Sequence, residues 1–176
     1  MRFTLIDRIT LCEPGHRIEA IKNLSLSEEY LGDHFPLFPV MPGVFMLEAL
    51  TQAAAWLIRV GDDFKHSMVV LGEARNVKYA NFVSPGQQLL VTAKILSQTE
   101  HEVKVEAQGS VAGVVNVSGR LILKRYNQAD TNAFYADSDE KLRRSMRAMY
   151  ALLHPESLES PSDSAGGASN PAVLAG

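Results

Sequence analysis

His34 and Glu48 are the residues of this chain best suited to do chemistry. An imidazole titrates near neutral pH and can take or give a proton. A glutamate set in an apolar helix is costly unless it is hydrogen-bonded, paired or placed at a cavity, and burial favours its protonated form. Together the two side chains make, in outline, a general acid–base pair. Gly43 lies between them in sequence, where the missing Cβ allows close approach to the backbone.

Both residues sit in one stretch, HFPLFPVMPGVFMLEALTQAAAWLI over residues 34–58. Pro36, Pro39 and Pro42 each fix φ near about −65° and remove a backbone donor, so 34–42 reads as an ordered, non-helical loop. Pro42 suits the first turn of a helix, and an apolar helix is predicted over 43–59. A helix apolar on nearly every side is a buried helix. Glu48, Thr51 and Gln52 interrupt it, which argues against a membrane span. Gln52 lies one turn beyond Glu48 and can bond its carboxyl group. Trp56 and Phe45 read as core.

The chain has 176 residues, enough for one domain with a sizeable core, at 46% hydrophobic and 21% charged. Residues 1–127 hold equal numbers of acidic and basic side chains, so the net charge of −3 arises in residues 128–176. No overall basic character points to nucleic acid. Cys12 is the single cysteine, which excludes an internal disulfide, and no Cys/His spacing suggests a metal site. The N-terminal residues carry no long apolar run, and the expected location is cytoplasmic, with no membrane.

Around the loop and helix, strands are predicted at 3–11, 17–23, 68–82 with a bulge, 89–96, 102–110 and 114–124. Glu13-Pro14-Gly15, Ser84-Pro85-Gly86 and Ala112-Gly113 mark turns. Ser25 or Ser27 can cap a short helical turn containing Glu28 and Glu29. In the fifth strand Val103, Val105 and Ala107 oppose Lys104, Glu106 and Gln108. In the sixth, Val115, Val117, Leu121 and Leu123 oppose Asn116, Ser118, Arg120 and Lys124. One-sided strands joined by short turns imply an antiparallel sheet with one buried face. The 43–59 helix is the long apolar helix available to cover that face, so the sheet should wrap around it. A second helix is expected over 140–153, capped by Asp137-Ser138-Asp139, with Leu142, Met146, Met149 and Leu153 on one stripe. The Arg143–Arg147 cluster reads as a solvated helix face. From Pro155 onward the composition is that of a disordered tail. The organisation expected is a domain over 1–127, a helical extension over 128–154 and a tail over 155–176.

The pattern HFPLFPVMPGV followed by LEALTQ resembles the hot-dog-fold dehydratases, in particular the Z-type 3-hydroxyacyl-[acyl-carrier-protein] dehydratases. Leu37 stands where that family usually has glycine. The similarity extends through VKYANFVSPGQQL and ends near Arg125. It implies an α+β hot-dog fold of about six antiparallel strands around a central helix. It implies His34 and Glu48 as catalytic residues and a Gly43 N–H facing the thioester carbonyl. Val44, Gln52 and Tyr79 would line the substrate, although a plainly packed strand tyrosine is an equal reading of Tyr79. The resemblance implies dehydration of 3-hydroxyacyl thioesters with no metal or redox cofactor. It implies acyl carrier protein as partner and a homodimer with shared sites, alone or as a trimer of dimers. The same fold hosts thioesterases and non-catalytic acyl-carrier-protein-binding modules, so fold alone leaves those alternatives open.

Overall fold

The computed structural model describes residues 3–155. The tail expected from Pro155 onward lies, from residue 156, outside the described residues. Six strands form one antiparallel sheet: β1 (Arg8–Glu13), β2 (Arg17–Asn23), β3 (Met68–Tyr79), β4 (Gln88–Gln98), β5 (Glu102–Val111) and β6 (Val114–Tyr126). Their order across the sheet is β1-β2-β4-β5-β6-β3. Helix α1 (Gly43–Gly61) touches every strand, and helix α2 (Ala136–Leu153) follows the sheet. This is the helix-wrapped antiparallel sheet that the strand patterning predicts.

The core forms where one face of the sheet meets α1. Val103, Val105 and Ala107 of β5 are buried, while Lys104, Glu106 and Gln108 are exposed. Leu50, Ala53, Ala54, Leu57 and Ile58 fill the other side of the same core. α1 is long and apolar enough to cross a bilayer, but the sheet covers it and most of it is interior. Its C-terminus is held by Asp62, whose carboxylate accepts two bonds from Arg125 Nη1 at 2.6 and 2.7 Å. Arg125 also donates to the Thr99 and Glu100 carbonyls, so this buried cation is fully partnered.

Four local expectations are corrected. The first strand starts at Arg8 rather than Phe3, because residues 3–7 cross α1 instead of pairing along their length. Leu5 N–H donates there to Gln52 Oε1 at 2.8 Å, and Leu5 and Ile6 are buried. The helical turn after β2 is a 3-10 turn at Glu29–Gly32 with no side-chain cap; Ser25 Oγ instead takes the Ser27 N–H.

The third correction lies in β6. Gly109 pairs with Val117 and Ser110 with Val115, which leaves Asn116 as the extra residue of a bulge. The bulge turns Asn116 inward, where it is 3% exposed, and Val115 outward. Strict alternation had placed them the other way round. Asn116 Oδ1 accepts from Val111 N at 3.0 Å, and its Nδ2 donates to Phe82 O at 2.8 Å. A buried amide with these partners is satisfied.

The fourth concerns α2, which starts at Ala136 and has no side-chain cap. Asp139 is not its cap: the carboxylate is buried and bonds Ser67 Oγ at 2.5 Å, Gln128 N at 3.1 Å and Ala129 N at 2.8 Å. It caps the preceding 3-10 turn at Gln128–Asp130 and ties α2 to the start of β3. Arg147 reaches back to Asp63, and Tyr150 packs edge-on against Phe64. The arginine face is therefore partly spent on anchoring α2 rather than wholly solvated.

Candidate active site

The loop before α1 closes on itself. Phe35 and Phe38 exchange backbone bonds, at 3.4 Å for Phe35 N and 2.9 Å for Phe38 N. The closure leaves Leu37, at its tip, fully exposed. The His34–Phe35 peptide bond is cis. Met41 N donates to Val83 O at 2.8 Å, and Phe38 meets Phe82 edge-on. Asn116 holds Phe82 O, so the β6 bulge fixes the segment on which the His34 loop rests.

His34 is half-buried, and its Nδ1 lies 3.1 Å from Val40 O. A carbonyl only accepts, so Nδ1 carries a proton, and in the neutral ring the lone pair is then on Nε2. The loop therefore presents the ring in the tautomer a base requires.

Pro42 precedes α1 and supplies no side-chain acceptor; Phe45 N–H bonds the Pro42 carbonyl at 2.9 Å, while no side chain caps the N–H groups of Gly43 and Val44. They sit at the positive end of the helix dipole. Tyr79, at the end of β3, lies over Gly43. A Cβ built there would fall 3.2 Å from Tyr79 Cδ1, so any larger residue needs the Tyr79 ring to give by a few tenths of an ångström. Val44 and the Tyr79 ring remain largely exposed beside it.

Glu48 is half-buried and lines a cavity of about 540 Å³ between α1, the start of β3 and α2. Gln52 Nε2 donates to Glu48 Oε1 at 2.9 Å and to Phe3 O at 3.1 Å. Gln52 Oε1 takes the Leu5 N–H, which fixes which end of the amide faces the carboxylate. The predicted Glu48–Gln52 contact is present. The bracing by the N-terminal segment was not legible in the sequence.

Arg59 lines the same cavity, with its guanidinium 5.8 Å from the Trp56 ring centroid. Its Nε is buried without a hydrogen-bond partner among the described residues, and burial lowers its pKa to about 10. The chain thus carries two separate clusters. Gly43, Val44 and Tyr79 gather at the start of α1, while Glu48 and Gln52 face the cavity. His34 and Glu48 are not hydrogen-bonded to each other, and His34 does not line the Glu48 cavity.

Six antiparallel strands around a central helix, with a histidine loop at its N-terminus and a glutamate facing a cavity, define a hot-dog-fold protein of the dehydratase class. Residues 1–125 match the FabA-like domain. Over 119 residues the chain is 37% identical to the 3-hydroxyacyl-[acyl-carrier-protein] dehydratase FabZ of Ruminiclostridium cellulolyticum, covering 68% of this chain and 84% of that protein. Over 120 residues it is 41% identical to the FabZ of Lactococcus lactis subsp. lactis, covering 68% and 82%. The chain belongs to the FabA-like family, as a FabZ-type dehydratase. Among solved structures, the dehydratase heterocomplex ApeI:P from Xenorhabdus doucetiae matches with TM-score 0.60 and 20% identity, over 76% of this chain and 90% of that one. A hypothetical thioesterase from Streptococcus pneumoniae TIGR4, solved with coenzyme A, matches with TM-score 0.51 at 10% identity, over 67% and 84%. At these identities the structural matches speak to the fold alone.

Proposed function

We infer that this protein is a hydro-lyase that converts 3-hydroxyacyl-acyl-carrier-protein thioesters to trans-2-enoyl thioesters in fatty-acid synthesis. The observation that carries the mechanism is the 3.1 Å contact of His34 Nδ1 with Val40 O, which in the neutral ring puts the proton on Nδ1 and the lone pair on Nε2. Nε2 takes the proton from C2 of the substrate. The N–H of Gly43, aided by that of Val44 and the α1 dipole, stabilises the charge developing on the thioester oxygen. Glu48, oriented by Gln52, gives its proton to the departing 3-hydroxyl. Water leaves, and the C2–C3 double bond forms.

The site as read joins His34 of one subunit to Glu48 of another, in a homodimer that stands alone or as a trimer of dimers. Two features support that reading. Phe35, Leu37, Phe38, Val44, Tyr79 and Phe82 expose an apolar patch around the His34 loop. β3 is also an edge strand with an unpaired side. The reading places the enzyme in the cytoplasm, with acyl carrier protein delivering the substrate. No feature of the site favours a thioesterase over a dehydratase.

The test is hydration of crotonyl thioesters, on coenzyme A and on carrier protein, followed by loss of enoyl absorbance. His34→Ala and Glu48→Gln should each lower turnover by at least about a hundredfold. Near-normal rates in either folded variant would overturn the acid–base assignment.

A further inference from the structure

One wall of the Glu48 cavity is built from a part of the chain that the family match does not reach. The match ends at residue 125, and α2 spans Ala136–Leu153. Leu142, Met146 and Met149 recur at i, i+4 and i+7, so they share one stripe of α2, and all three line the cavity. Ala55 and Trp56 of α1 line it as well.

The wall is anchored from outside the cavity. Asp139 grips Ser67 and the Gln128–Asp130 turn, Arg147 binds Asp63, and Leu153 lies in the core. A volume of about 540 Å³ falls in the usual range for a small-molecule site, about 300–1,000 Å³.

The cavity also has a chemically distinct end. Glu48 and Arg59 both line it, and eleven residues of α1 separate them, about 16 Å at 1.5 Å per residue. The rest of the lining is apolar apart from Thr4, from Thr51 and Gln52 of α1, and from Ser145 of α2. At Arg59 stands a half-buried guanidinium with no carboxylate partner among the described residues. An alkyl terminus pressed against that group would strip water from it and return no hydrogen bond.

Resting on the dehydratase reading, we infer that α2 and Arg59 close the acyl cavity and set the length of chain the enzyme accepts. Leu142, Met146 and Met149 form the side wall, and Arg59 forms the stop. Specificity then resides in an extension outside the family core.

The experiment compares kcat/KM for short, medium and long 3-hydroxyacyl thioesters in the full chain and three variants. Met146→Ala opens the wall and Arg59→Leu removes the stop. Each should raise the long-to-short ratio at least about tenfold, since about one methylene in an apolar pocket is worth that much discrimination. Leu142→Phe fills the cavity and should move the ratio the other way, which keeps the test valid if Met146→Ala fails to fold. A purely structural α2 would lower the melting temperature and all rates together with the ratio unmoved, and that result overturns the inference. A wild-type protein that turns over none of the series overturns the dehydratase reading itself, a result distinct from an unmoved ratio.

Discussion

Gln52→Leu is the substitution that best separates holding a site together from merely holding a fold together. Gln52 makes three hydrogen bonds: to Glu48 Oε1, to Phe3 O and from Leu5 N. Leucine keeps the volume and makes none of them. Each such bond contributes about 0.5–1.5 kcal/mol net, and the Phe3 bond is exposed, so the stability loss should be about 2–3 kcal/mol. For a domain of this size that is a fall in Tm of about 4–12 °C. The catalytic effect is separate. Glu48 keeps its chemistry but loses the donor that fixes its rotamer, so kcat should fall about tenfold to a hundredfold, with KM nearly unchanged. Gln52→Glu sharpens the contrast, because a carboxylate at position 52 has no N–H to give to Glu48 or to the Phe3 carbonyl. The assay is enoyl-thioester hydration under saturating substrate, at a temperature well below the lowered Tm. A Gln52→Leu protein that melts earlier but keeps wild-type kcat would refute the argument, leaving Gln52 as a brace for residues 3–7 and nothing more.

Two further outcomes are expected. Asp139→Ala should cost about 3 kcal/mol, measured by urea unfolding, because Ser67 Oγ and the Gln128 and Ala129 N–H groups lose their acceptor. Burial pushes the Asp139 carboxyl up, but bonds from Ser67, Ala129 and Gln128 outweigh it and hold the group below its ordinary value. Its stabilisation is therefore full above the unfolded carboxylate pKa and fades as pH falls through the folded one, and the variant should lack that acid-side loss. Co-expressing His34→Ala with Glu48→Gln should return about a quarter of wild-type activity: half of randomly paired dimers are mixed, and each holds one intact site. Verified mixed dimers as inactive as either parent would show that each site is built within one chain.

The parts of this molecule legible in its sequence are those governed by a local period. Alternation in β5 marked a half-buried strand, and the all-round apolar run of α1 marked a core helix. The Glu48–Gln52 contact followed from helical spacing alone. What was not legible depends on a departure from period or on partners far along the chain. The β6 bulge shifts the face of a strand by one residue, and the valines flanking Asn116 hide it. The one hint was an asparagine, a residue disfavoured in strands, in the middle of an apolar run. Asp139 gave no hint at all, because an acidic residue near a helix start also reads as a cap.

These hidden residues do related work. Asn116 holds Phe82 O, and the adjoining Val83 O holds Met41 at the base of the His34 loop. Gln52 is held by the backbone of Phe3 and Leu5 and in turn holds Glu48. Asp139 holds α2 against the start of β3, where α2 lines the cavity that Glu48 faces. Asn116, Gln52 and Asp139 each bond at least one backbone group well separated in sequence, and each steadies a different part of the site. Backbone groups are present whatever the side chains, so such braces leave little compositional trace. The reacting residues must be of particular types and so stand out in the sequence. The groups that aim them need only reach a carbonyl or an N–H, and it is the fold that decides which one.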